Sequence, residues 1–263
     1  NIEPYLEGAK APDDRFKDFR NHVLHVKENH WGGATAAANQ WYRMTVESLR
    51  ANDWSAAVYR AGVLSHYYTD PIQPLHTAQS DKEGDIHRAC EWSIAQSYDA
   101  LRELLVTELG GFPPIKAPSG SDWLTQMVKE GAEAARPHYE TMLEHYDIHR
   151  GVKDPPAGLD RTLRVCVARL LGHAVSGFAR ILERGIDEAR VSPPAVSLTL
   201  NGVLSSLSIP IYWVTKKMAA AEERAQVEAT YRELQQSGFV RETLSEDDRT
   251  IRQLHAEEGL KTN

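Results

Sequence analysis

Between His66 and Trp92 the chain reads HYYTDPIQPLHTAQSDKEGDIHRACEW, and this run constrains the architecture more than any other stretch. His66 with Asp70, and His87 with Glu91, each stand four residues apart, so in a helix each pair projects from one face about one turn apart. PIQPLH lies between them, and two prolines in four residues cannot sit inside a regular helix. The run therefore predicts a helix, a short irregular turn and a second helix, with the end of one brought to the start of the next and His76 between them. His66, Asp70, His76, His87 and Glu91 are five candidate metal ligands in order, imidazoles mixed with carboxylates, which is a donor set suited to zinc. Either pair alone reads equally well as a helix-surface pair worth a few tenths of a kcal/mol. Their joint occurrence in one run points to a metal.

Elsewhere helical periodicity dominates and strand-like alternation is nearly absent. Helices are predicted from Thr35 to Ala51, from Trp54 to Thr69 with Asp53 as N-cap, from Gly84 or Asp85 to Leu109, from Asp122 to Tyr146 and from Leu159 to Arg190. VSPPAVS reads as a boundary, Pro210 to Ser237 as a charge-rich amphipathic helix, and SEDD at Ser245 to Asp248 as the start of a last one. The prediction is an all-α fold: a helical domain over residues 1–190 and a helical C-terminal extension over residues 191–263.

Composition excludes several classes. The 263 residues, 41% hydrophobic and 25% charged, suffice for a large buried core. A net charge of −7 and a pI near 5.9 give no electrostatic reason for a general polyanion-binding surface, so no stable nucleic-acid partner is expected. Cys90 and Cys166 imply no disulfide framework. No stretch reads as a transmembrane segment; LSIPIYWVTKKM instead joins apolar and basic residues in a way suited to peripheral contact with a lipid surface. No secretory signal is visible. Most of the 11 histidines are expected to be structural, including His145, His149 and His173, while Tyr67, Tyr68 and Trp92 read as core and Arg88 as a partner of Asp85.

His66-xxx-Asp70, QPLH ending at His76 and His87-xxx-Glu91 together resemble the bacterial zinc-dependent phospholipase C family, and WYRMTVESLRANDWSAAVYRAGVLSHYYTD resembles the helix pair that leads into its first ligands. The resemblance runs from Asp13 to about Arg190. It implies an all-helical bundle with a zinc cluster in a cleft, and an extracellular or periplasmic location. The fungal single-strand-specific zinc nucleases share the first half of the signature, but usually end it with His-xxx-Asp after a longer, glycine-containing insertion. Closure on His87 and Glu91 favours the phospholipase side.

Carried over residue by residue, the resemblance implies one site from Asp13, His25, His66 and Asp70, and another from His76, His87 and Glu91 completed by water or substrate. Asp13 and His25 are chosen from a stretch, AKAPDDRFKDFRNHVLHVKENHW, in which Asp14 and His22 remain alternatives and His30 reads as packing. The counterpart of Asp70 bridges towards a third metal, which the family binds through an amino-terminal tryptophan and a nearby histidine. NIEPYLEGAKAP contains neither residue, so the expectation is two or three Zn2+ ions.

The implied function is phosphodiester hydrolysis by a metal-activated water, with Asp13 as general base, converting a phospholipid to diacylglycerol and a phosphorylated headgroup. The alternatives are a single-strand nuclease or 3'-nucleotidase-like phosphoesterase, and a non-catalytic helical metal-binding module. A three-ligand site with an open position favours catalysis over the last.

Overall fold

The computed structural model describes residues 2–192 and 220–260, and among them every regular element is helical. In chain order these are α1 (Glu3–Ala11), α2 (Ala34–Arg50), α3 (Trp54–Thr69), α4 (Asp81–Gln96), α5 (Tyr98–Thr107), α6 (Trp123–Ala135), α7 (Tyr139–His145), α8 (Ile148–Gly151), α9 (Arg161–Ala189), α10 (Ala220–Ser237) and α11 (Glu246–Glu257). Local chemistry sets several starts. Asp53, Ser80, Asp160 and Ser245 each accept a hydrogen bond from the backbone N–H three residues on, at 3.0, 3.3, 2.9 and 3.3 Å. Such a cap stabilises a helix by about 1 kcal/mol.

Two expected helices are interrupted. The segment expected to run to Leu109 starts at Asp81 and breaks at Ser97, whose hydroxyl donates to the Ser93 carbonyl at 2.7 Å and competes with the backbone ladder. The block from Asp122 to Tyr146 is divided by a 3-10 turn, Arg136–His138, because Pro137 has no N–H to continue the helix. Pro71 and Pro74 act likewise after α3, where the turns Asp70–Ile72 and Pro74–His76 reverse the chain into α4.

The long helix α9 serves two apolar cores. One gathers Leu64, Tyr67, Tyr68, Leu124 and Phe178 from α3, α6 and α9; the other gathers Cys90, Leu101, Met142, Leu163 and Val227 from α4, α5, α7, α9 and α10. Burying each large side chain contributes roughly 1.5–3 kcal/mol. Contrary to the expectation from sequence, α9 is long and apolar enough to cross a membrane, with an 18-residue window of mean hydropathy 1.4. Of that window 61% is buried inside the protein, as befits a core helix.

α1 lies against α3 at backbone contact. A Cβ at Gly8 would stand 2.0 Å from the Tyr59 carbonyl oxygen, and one at Gly62 would stand 2.2 Å from that of Tyr5. Only glycine permits this approach, and it brings the end of α1 beside His66. The described part of the C-terminal segment also packs on the helical body, through Val227 in the second core and Ile251 against Phe19, Val23 and Trp31. The VSPPAVS boundary beyond Ser192, the start of the helix expected from Pro210 and the apolar-basic LSIPIYWVTKKM lie outside the described residues.

Candidate metal centre

Three separate pieces of chain converge on Asp70. Asp13 sits in a π-helical turn, Pro12–Phe16, that follows α1, and His22 ends the 3-10 turn Phe19–His22. His66 comes from the last full turn of α3, and Asp70 caps that helix. His22 Nδ1 and His66 Nε2 each stand 3.0 Å from Asp70 Oδ2, and 3.0 Å from one another. Asp13 Oδ1 is 3.5 Å from His22 Nδ1 and 3.7 Å from His66 Nε2. Around a tetrahedral zinc with bonds near 2.0–2.1 Å, donor atoms stand about 3.3 Å apart. Asp13, His22 and His66 lie within reach of one ion, with Asp70 beside both imidazoles.

A second set lies alongside. Glu91 Oε1 is 3.4 Å from His76 Nε2 and 3.3 Å from His87 Nε2, giving three donors of the right type and spacing. The sets adjoin at Asp70, whose Oδ2 is 3.8 Å from His76 Nδ1. Asp70 Oδ1 and His87 Nε2 are buried and have no hydrogen-bond partner among the described residues. A buried polar atom left unpaired is costly, so atoms of this kind beside carboxylates suit a bound cation. The donor set therefore fits zinc.

Hydrogen bonds fix how each ring is presented. His66 Nδ1 donates to the Ala9 carbonyl at 2.9 Å, His76 Nδ1 to the His22 carbonyl at 3.1 Å, and His87 Nδ1 to Asp248 Oδ1 at 2.6 Å. Carbonyls and carboxylates only accept, so in each neutral ring Nδ1 carries the proton and Nε2 offers a lone pair to the centre. His22 is reversed: its Nδ1 faces the centre and its Nε2 faces Asp18 at 3.6 Å. Asp18 is itself held by the Tyr67 hydroxyl at 2.8 Å and the Asn21 amide at 2.7 Å.

Burial opposes the charge on these groups, and their opposite-charge neighbours overcome it. His22 is raised to about 10, against that desolvation, by Asp18, Asp70 and Asp13. His76 and His87 are raised despite burial, by Glu91 and Asp70 and by Asp248 and Glu91 respectively. Asp70 and Glu91 fall well below the usual carboxylate range despite burial, through His66 and His22 and through His87 and His76. One cause underlies all five: a buried set of carboxylates and imidazoles demands positive charge, which protons or a divalent cation can supply. Solvent reaches the centre at Asp13 and Glu91, whose side chains are 17% and 27% exposed.

Of the seven residues expected from sequence, the structure brings together Asp13, His66, Asp70, His76, His87 and Glu91. His25 is a correction. Its backbone pairs with Trp31 in both directions, at 2.7 and 3.2 Å, its ring packs on Trp31 and His255, and it joins none of the donor groups. His22 takes its place. Asp14 is exposed, and His30 meets Glu133 at 3.0 Å. Arg88 pairs with Glu223 at 2.9 Å rather than with Asp85, which accepts from the Val240 N–H. Tyr67, Tyr68 and Trp92 are core. His145 and His149 bond Asp160 and Tyr231 away from the centre. Asp248 was not anticipated, and with Glu83 it flanks the outer face of His87.

No protein-family model matches the chain, and comparison with curated proteins and with solved structures finds no match either.

Proposed function

We propose that this chain is a zinc-dependent phosphodiester hydrolase of the phospholipase C type. The observation that carries the reading is a pair of neighbouring donor groups, Asp13, His22 and His66 on one side and His76, His87 and Glu91 on the other, with Asp70 between them. A purely structural zinc site is closed by four protein ligands, whereas His76, His87 and Glu91 supply three and leave a position for another ligand. Asp13, His22, His66 and Asp70 would hold one ion and His76, His87 and Glu91 another. Ions bound there would supply Lewis-acid charge for the phosphoryl oxygens and the leaving group, and would lower the pKa of water.

The chain's own groups do the rest. Asp13 is the carboxylate that accepts the proton of the attacking water, because it lies in the centre and still meets solvent. The Ala9 and His22 carbonyls and Asp248 keep the rings of His66, His76 and His87 oriented, so that these donors need not reorganise during the reaction. The partner is a phospholipid or other phosphodiester.

Metal analysis paired with hydrolysis of a chromogenic phosphocholine ester and of single-stranded DNA tests this. Zinc-dependent cleavage of the ester is the expected result. Cleavage of the DNA alone would move the reading to a single-strand nuclease, and neither activity in zinc-loaded protein would return it to a non-catalytic metal-binding module.

A further inference from the structure

The outer face of His87 is occupied by a part of the chain that the zinc reading does not require. Asp248, in the first turn of α11, accepts from His87 Nδ1 at 2.6 Å, and both side chains are 7% exposed. Glu83 Oε1 is 3.5 Å from the same nitrogen, while Glu83 Oε2 accepts from the Tyr139 hydroxyl at 2.7 Å. Glu83, His87 and Asp248 could be taken for a further cation site. The 2.6 Å contact argues otherwise: it is hydrogen-bond length, well inside the spacing of about 3.3 Å that two ligands of one tetrahedral zinc require. A proton fills this gap, and it commits His87 Nε2 to the side of His76 and Glu91.

The segment that delivers Asp248 is docked by contacts of its own. Arg252 donates to the carbonyls of Ser80 and Asp81 at 3.1 and 2.9 Å, across the start of α4. Gly84 leaves room for this, since a Cβ there would stand 2.4 Å from the Arg252 guanidinium and 2.7 Å from Leu244. Further along, the Trp31 indole donates to Glu258 at 2.6 Å.

We propose that Asp248 is the positioning residue for His87, so that zinc occupation of His76, His87 and Glu91 and docking of residues 240–258 stabilise one another. The inference rests on the metal reading above and adds that the centre is completed by a segment 161 residues away in sequence. A ligand-orienting carboxylate of this kind is worth about 10–100-fold in metal affinity. Linkage makes the effect reciprocal: whatever Asp248 contributes to zinc affinity, zinc returns to docking.

The test uses the full chain, zinc alone as the probe, and two readouts other than activity: zinc affinity by competition with a chromogenic chelator, and hydrogen exchange of the α11 amides with and without zinc. Asp248→Ala is expected to weaken one of two zinc sites about 10–100-fold and leave the other unchanged, while zinc no longer protects α11. Arg252→Ala, which loosens docking but keeps the carboxylate, should weaken the same site, and Asp248→Asn, which keeps an acceptor, should recover part of the loss. If Asp248→Ala undocks α11 yet both zinc affinities stay at wild-type values, the coupling is overturned. Unchanged affinities with α11 still docked would overturn the positioning role and leave the zinc reading standing. A wild-type chain that binds no zinc overturns both.

Discussion

His22 Nδ1 and His66 Nε2 face each other at 3.0 Å, and Asp70 Oδ2 is 3.0 Å from both. His66 already spends its Nδ1 proton on the Ala9 carbonyl, so two neutral rings with lone pairs turned inward would repel at this distance. Something positive belongs among the three atoms, either a proton or a metal ion.

Zinc loading at neutral pH should therefore expel protons. His22, raised to about 10, holds a proton at neutral pH that a bound ion must displace, and the upward shifts of His76 and His87 act in the same direction. About one proton per chain or more is expected, with apparent zinc affinity falling as pH falls. Calorimetry in buffers of different ionisation enthalpy counts them; a count of zero would sink the assignment of these rings as ligands.

His22→Ala should remove one zinc per chain and His25→Ala should remove none. Elemental analysis after dialysis against a weak chelator separates the two, and the opposite outcome would return His25 to the centre.

Asp70→Asn should lower zinc content and phosphodiesterase activity together, the activity by at least about a hundredfold, because Asp70 adjoins both donor sets. Full retention of both would disprove the cluster.

Gly8→Ala should destabilise the fold by about 1–3 kcal/mol, since its new methyl cannot coexist with the Tyr59 carbonyl without moving α1. That movement withdraws the Ala9 carbonyl from His66, so zinc affinity should drop as well as the melting temperature. A loss of stability with unchanged affinity would show that Ala9 does not orient the ring.

His25 gives the protein an acid sensitivity separate from the centre. Burial first, and then the nearby His255, His76 and Arg136, lower its pKa from 6.5 to about 3. The unfolded chain protonates near 6.5 and the folded chain only near 3, so this group's contribution is whole above 6.5 and is lost as pH falls towards 3. The slope reaches at most about 1.4 kcal/mol per pH unit for one proton. Denaturant titrations of His25→Leu across that window should show a shallower pH dependence than wild type; equal slopes would remove His25 from the account.

The helices and the five candidates from His66 to Glu91 were legible because they depend on short-range pattern, whereas Asp13 came only from the resemblance. Asp53, Ser245 and the two prolines of PIQPLH act on neighbours within a turn, and His66 with Asp70 or His87 with Glu91 need only helical spacing. His22 was harder to choose because no helical period covers residues 17–33; what selects it is the pairing of His25 with Trp31, a contact invisible in composition. The one local hint was Asp18 four residues before it. Asp248 could not be found at all, since its role depends on how a distant helix docks. Ser97 misled for a related reason: a serine that ends one helix by bonding backward looks, in sequence, like a serine within one.

The reversed ring of His22 gives the centre an internal label. Three rings present Nε2 inward and one presents Nδ1, and ring-nitrogen NMR distinguishes these tautomers by which nitrogen carries the proton. Because His22 belongs to the group with Asp13 and His66 alone, its signal of opposite pattern would report filling of that group by itself. The order in which the two sets load could then be followed by titration, one spectrum at a time, without a mutation.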